Sequence, residues 1–502
     1  MKKILIAGAF AVSLLTGVEA APTDNVTQAD LKALIERITK LEAQNQAQAK
    51  RIAELEAGAK KVAVAAPAAV PAAKGAAKDE GTTVDESGRV YTTDKGFKYY
   101  LADKAAGIFE PLTESGLKFQ PYGYLVLEGI YNTHGTDAPI FSDYVRPKDA
   151  PNHGGKDHTA TLSVADSIIG FNIYTPETYY GWRFNGKFEF DLAGSNNNDW
   201  GTLHLRHLYW NMEHESGWSI LFGQTWHLWK MVTPSEIDGA WLEFTGHPYR
   251  RSPQLRVTKK WEWEDSSLEA RVGYVKGGPG MGGDRDDNGT EDNEQSVWGL
   301  VESAVVYNHD AAWDHGRSWL LGVGGHYGRT SSHRCSGYDL SGDPIFDGHD
   351  DDYNSSMIML AGSIPFAEKF TLCGQVFAGE NLGDVQGGIG NKVAFRDLTQ
   401  KGREVTTVGG FVDLNYALND TWSFAAGYGF DNPSVRNSDE VIQTRGREGQ
   451  TFNDRVYIDA FYQWNDNLHF GLEYAYLTTD YVSRYGEDND SHRLQFTVYY
   501  DF

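Results

Sequence analysis

The chain has 502 residues, 40 % of them apolar and 23 % charged, with a mean hydropathy of −0.48, a profile that excludes a helical membrane protein. Gly 55, Tyr 27, Phe 24 and Trp 14, against Cys 2 and Met 6, favour strands and turns over a helical or disulfide-built fold. Lys+Arg 45 against Asp+Glu 69 gives a net charge of −24, which excludes nucleic acid as the main partner because a phosphate backbone would be repelled.

Lys2 and Lys3 precede an apolar run from Ile4 to Val18, and Val18-Glu19-Ala20 places small side chains at −3 and −1 of a cleavage site. Residues 1–20 therefore read as a signal peptide that sends the mature chain out of the cytoplasm. The run falls short of the roughly 20 residues a spanning helix needs.

Within residues 21–58, Leu31, Leu34, Ile38, Leu41, Asn45, Gln48, Ile52 and Leu55 alternate in spacings of three and four. This heptad seam predicts a self-associating coiled coil, dimeric or trimeric, weakened but held in register by Asn45 and Gln48. Residues 59–80 are rich in Ala, Pro, Lys and Gly and read as an extended spacer. Residues 81–116 form a polar pre-barrel segment with no assigned structure.

From 117 to 502 the hydrophobic period becomes two. Trp182, Phe184, Gly186, Phe188, Phe190 and Leu192 alternate with Arg183, Asn185, Lys187, Glu189 and Asp191. About sixteen such segments of roughly 10–15 residues follow one another, a length suited to tilted membrane strands. Short connections such as Glu213–Gly217, Glu264–Ser267 and Asn465–Asn467 alternate with long ones: Thr133–Thr159, Met231–Ser252, Gly277–Gln295, Ser331–Asp352, Leu382–Arg403 and Pro433–Thr451. Turns at one end and loops at the other predict an all-β, 16-stranded antiparallel transmembrane β-barrel, wide enough to leave an aqueous channel. Leu494, Phe496, Val498, Tyr500 and Phe502 share one face of the last segment. That terminal pattern resembles the signal read by the barrel-assembly machinery of the bacterial outer membrane.

The chain resembles the trimeric porins, and more narrowly the DcaP-like group. The resemblance rests on the heptads Leu31–Leu55, the strand motif Leu205-Arg206-His207-Leu208-Tyr209, and Gly223-Gln224-Thr225-Trp226 at a strand end. It implies a homotrimer that admits small, often anionic solutes.

In large porins the third long loop often enters the barrel, and here that loop is Met231–Ser252. It offers Glu236, Asp238 and Glu243. Flanking strands place Arg183, Lys187, Arg206, Arg256, Lys260 and Arg271 on the face expected to point inward. Arg206 fits least well, because Leu208 and Trp210 share its parity. An acidic loop facing a basic wall would set up a transverse field that selects by charge. The alternative is that Glu189, Asp191, Glu262, Glu264 and Glu269 cancel the basic set and merely keep a wet lumen solvated.

Asp284, Asp286 and Asn288, followed by Gly289, have the spacing of a calcium loop. Gln295 replaces the usual bidentate glutamate and the flanking helices are missing, so an acidic solvated loop is the favoured reading. Asp343–Asp352 is a second acidic stretch suited to divalent ions beside lipopolysaccharide. His204 and His207 lie three apart on a strand and are expected on opposite faces. Cys335 and Cys373 are not expected to pair. No nucleophile elbow, phosphate loop or zinc motif occurs, so the chain is not expected to be an enzyme. The function expected is passive diffusion of small hydrophilic solutes through the outer membrane. A structural envelope tether, or a barrel hydrolase, is the alternative.

Overall fold

The computed structural model describes residues 118–502 apart from 151–153, 176–178, 197–198, 278–298, 311–317, 339–343, 392, 396–400, 435–440, 444–448 and 483–485. It also describes a short hairpin pairing Thr82–Val84 with Val90–Thr92. The signal peptide, the coiled coil, the spacer, most of the pre-barrel segment, and the candidate calcium residues Asp284, Asp286 and Asn288 lie outside the described residues.

The strands are β1 Lys118–Asn132, β2 in two pieces (Thr159–Ser163 and Ile168–Tyr174), β3 Trp182–Asn196, β4 Asp199–His214 and β5 Trp218–Trp226. They continue as β6 Arg251–Glu262, β7 Ser266–Val275, β8 Leu300–Asp310, β9 Ser318–Tyr338, β10 Pro344–Ala367 and β11 Phe370–Glu380. The last five are β12 Thr406–Ala417, β13 Trp422–Ser434, β14 Gln450–Gln463, β15 Leu468–Tyr481 and β16 Asn489–Asp501. Each pairs antiparallel with the next, and β16 closes on β1, from Arg493 opposite Asn132 to Asp501 opposite Tyr124. The result is a closed 16-stranded barrel, as the period-two pattern predicted. Closure leaves no unpaired strand edge, the condition a sheet must meet to sit in lipid.

The alternation sorts residues by face. On β16, Arg493, Gln495 and Thr497 are 0 % exposed while Leu494 and Phe496 are each 48 % exposed. Lipid-facing positions elsewhere carry Leu127, Val272, Val323, Ile358, Val412 and Ile458, all exposed. At the turn end an outer run of rings passes from Phe366 and Phe370 through Tyr416, Phe424, Trp422 and Tyr462 to Phe470 and Phe496. Such rings, apolar in body and polar at the tip, suit a water–hydrocarbon boundary.

Two sequence expectations are corrected. Ser331–Asp352 is largely strand rather than loop: β9 and β10 continue their ladder through Ser331 opposite Asp352 to Tyr338 opposite Pro344. Pairing uses backbone groups alone, so a polar sequence does not end it once the strands leave the apolar belt. His204 and His207 share the inner face, because Glu189 pairs with His207 and Phe190 with Leu205, leaving Arg206 as an inserted residue. A one-residue bulge reverses the parity on one side of it.

Candidate pore constriction

Residues 227–250, between β5 and β6, fold inward and are almost wholly buried. The entry to this loop is anchored on β8. The Glu302 carboxylate, fully buried, accepts hydrogen bonds from Leu228 N at 2.9 Å and Trp229 Nε1 at 3.0 Å, and contacts His227 Nδ1 at 2.5 Å. From there the loop crosses to the opposite wall. Asp413 of β12 accepts from Ser235 N at 2.9 Å, and Glu473 of β15 accepts from Ile237 N at 2.9 Å and Asp238 N at 3.0 Å. Gln375 of β11 donates to Gly246 O at 3.2 Å, and Asn453 of β14 donates to Phe244 O at 3.0 Å. Side chains of five strands thus satisfy the loop's backbone, which would otherwise be costly to bury.

The loop holds an unfavourable backbone to do this. Trp241, Leu242 and Phe244 have φ of 47°, 59° and 54°, a left-handed conformation that costs non-glycine residues of the order of 1–3 kcal/mol each. Gly246 is needed for a different reason. Its φ is 103°, and a Cβ there would lie 2.1 Å from Gly410 O on the wall. Within the loop Leu242 N donates to Glu236 Oε2 at 2.7 Å, and Tyr249 OH donates to Ala240 O at 2.9 Å. His247, fully buried, has Nδ1 at 2.7 Å from Trp241 O and Nε2 at 3.2 Å from Val232 O. Burial pushes its pKa down from 6.5 to about 3, so the ring is neutral.

The acidic loop residues separate into two kinds. Glu236 and Asp238 do not face the lumen. Their side chains are 0 % exposed, against the guanidinium of Arg455 on β14, which also donates to Ser142 O. Arg493 Nε of β16 stands 3.2 Å from Asp238 Oδ2. The expectation that this pair lines the pore is corrected, because the nearer arginines of the far wall capture both carboxylates. Glu243 is only partly buried and accepts from Gln386 Nε2 at 2.6 Å, which ties the loop to residues 383–391.

On the opposite wall the basic residues also divide. Arg206, lifted inward by the bulge, is buried and donates to Glu189 at 2.6 Å and Asp191 at 2.9 Å. Lys187 Nζ stands 3.9 Å from Glu189 Oε2 and lies over the Tyr122 ring. Arg271 pairs with Glu269 and donates to Leu228 O at 3.1 Å, while Lys260 pairs with Glu262 at 2.6 Å near the turn end. Arg183 and Arg256 stand apart: among the described residues neither makes a hydrogen bond or ion pair. Acids therefore contact four of the six cations, while Arg183 has Glu213 only across the strand register and Arg256 touches no acid among the described residues.

Sequence reasoning missed Arg455, Arg493 and Lys230. The two arginines share the inner parity of their strands, but their partners lie more than two hundred residues away, and no local spacing marks them. Lys230 lies over the rings of Trp226 and Trp241, with Arg251 over the first. Trp226 closes the motif Gly223-Gln224-Thr225-Trp226, and Thr225 Oγ1 is 3.0 Å from His207 Nδ1 of the other strand motif. The two stretches that carry the family resemblance are neighbours in space. Cys373 is buried, with Sγ 3.8 Å from Thr233 O of the loop, and the side chain of Cys335 lies outside the described residues.

No family model matches the sequence, and no curated protein matches it. Among solved structures, the outer-membrane channel DcaP of Acinetobacter baumannii superposes with a TM-score of 0.56 at 17 % identity, over 78 % of this chain and 98 % of that one. The trimer form of OmpT from Vibrio cholerae gives 0.47 at 14 % identity, over 77 % of this chain and 100 % of that one. An anion-selective porin from Comamonas acidovorans gives 0.45 at 9 %, over 77 % of this chain and 100 % of that one. At these identities the likeness is one of fold, and the DcaP barrel is the resemblance read from the strand motifs.

Proposed function

We propose that this chain is a bacterial outer-membrane porin: a water-filled channel for passive diffusion of small hydrophilic, preferentially anionic, solutes. Its periplasmic coiled coil assists a homotrimer. The observation that carries the reading is a closed barrel, apolar outside and charged inside, narrowed by an inward-folded loop whose acids Glu236 and Asp238 are sequestered. With those two charges sequestered, Arg183 and Arg256 are cations that make no ion pair among the described residues. In a narrow passage with low-dielectric walls, a few unpaired charges outweigh the overall charge of the protein. A passive pore needs no catalytic group, and the tether role of the coil is compatible with it.

Reversal potentials in a salt gradient across a planar bilayer test this. The wild type should be anion-selective, and Arg183→Ala with Arg256→Ala should move the reversal potential towards zero while conductance persists. A cation-selective wild type, or no shift in the double variant, defeats the anionic reading. Absence of any conductance defeats the porin reading itself.

A further inference from the structure

Behind the constriction loop, away from the lumen, carboxylates of loop and wall converge. Glu236, Asp238 and Glu473 each offer an oxygen, the three oxygens lie within 4.8 Å of one another, and all three residues are buried. Asp459 of β14 stands opposite Glu473 in the β14–β15 register, on the same inward face, and is 0 % exposed. Among the described residues no donor reaches either Asp459 oxygen or Glu473 Oε1. The cations nearby are already placed: Arg455 on Glu236 and Asp238, and Arg493 on Asp238. Four carboxylates thus face two guanidiniums in a site closed to solvent, an imbalance of two negative charges. Two further buried acids, Glu128 and Asp413, add to it. Glu128 is engaged by Gln495 at 2.9 Å, and Asp413 by Ser235 N.

We propose that a divalent cation, calcium, occupies this cluster and pins the constriction loop to the barrel wall. The donors are all oxygen, with no nitrogen or sulfur ligand, which selects a hard cation. Three oxygens no more than 4.8 Å apart can share one ion with small side-chain adjustments to the roughly 2.4 Å calcium–oxygen distance. Two positive charges also reduce the excess of carboxylates. The site joins Glu236 and Asp238 of the loop to Glu473 and Asp459 of the wall, and is separate from the Asp284–Asn288 stretch. A proton shared between Asp459 and Glu473 is the competing way to quiet the repulsion.

The test uses the full chain carrying Asp284→Ala and Asp286→Ala, so that the acidic stretch contributes nothing. This protein is purified in calcium, washed in metal-free buffer and measured for bound metal by mass spectrometry. About one calcium per chain should remain, calcium should raise its heat-unfolding temperature over chelator, and both effects should vanish on adding Asp459→Asn and Glu473→Gln. No retained calcium and no calcium-dependent shift in the parent would overturn the proposal in favour of shared protons. Equal calcium in parent and variant would overturn it too. If the added substitutions prevent folding, the parent refolded in calcium or in chelator decides by the same shift. Bilayer conductance is read in parallel, so failure of the metal site is distinguishable from failure of the porin reading.

Discussion

At the scale of single residues, charge in this lumen is decided by which partner reaches a side chain first. Arg206 is inward and basic, yet Glu189 and Asp191 hold it on both sides, so it contributes to wall stability rather than to a field. Arg183 and Arg256 sit on the same wall without such partners. Neither difference follows from residue type. His247 gives the clearest pH consequence. The unfolded chain takes up a proton near pH 6.5, whereas the folded ring resists it down to about pH 3. Stability from this residue is therefore full above about pH 6.5 and lost as pH falls towards 3. Between about pH 7 and 4.5 the loss is of the order of 2–3 kcal/mol, from about 1.4 kcal/mol per pH unit. Heat-unfolding at the two pH values should show a larger drop in the wild type than in His247→Gln, even if the variant starts lower. Equal drops would mean that the ring does not resist protonation.

At the scale of the element, the loop 227–250 behaves as a strap fastened at its entry and at its crossing. Glu302 holds its entry, and Arg455 with Arg493 holds its crossing. The left-handed residues Trp241, Leu242 and Phe244 make the strap strained, so its position depends on those fastenings. Replacing Arg455 with Met leaves Glu236 buried beside a hydrocarbon and Asp238 with Arg493 alone, a loss of roughly 3–5 kcal/mol locally. The barrel ladder does not pass through this contact. Arg455→Met should therefore still insert into bilayers, with more frequent closures and a changed single-channel conductance as the loop loosens. A variant indistinguishable from wild type in noise and conductance would mean that the latch does not hold the loop. The loop was legible as a candidate from its length and place between β5 and β6. Its acids were legible as charges, but not as a latch, because their partners come from β14 and β16.

At the scale of the whole molecule, continuous ladders close the barrel from β1 to β16 and an apolar belt covers its outer face. In the proposed trimer, the heptad pattern of the N-terminal segment has only four repeats, with Asn45 and Gln48 inside it. It is suited to assisting oligomerisation rather than to supplying the main contact. Deleting Leu31–Leu55 should leave trimers on native gels that dissociate at lower temperature. Monomers throughout would show that barrel walls do not carry the main contact.

The sequence by itself determined the barrel and its strand number, because period two and the alternation of turns with loops are local properties written along each strand. The same alternation separates the two faces of a regular strand, as on the last one, where Arg493, Gln495 and Thr497 are buried and Leu494 and Phe496 exposed. Tertiary structure alone decided the rest. The bulge at Arg206 reversed the parity of His204, and backbone pairing carried β9 and β10 through a stretch whose polarity read as loop. Above all, it decided which inward charges meet. Glu236 finds Arg455 across 219 residues of chain, a pairing set by barrel closure and by the path of one loop, not by any spacing in the sequence.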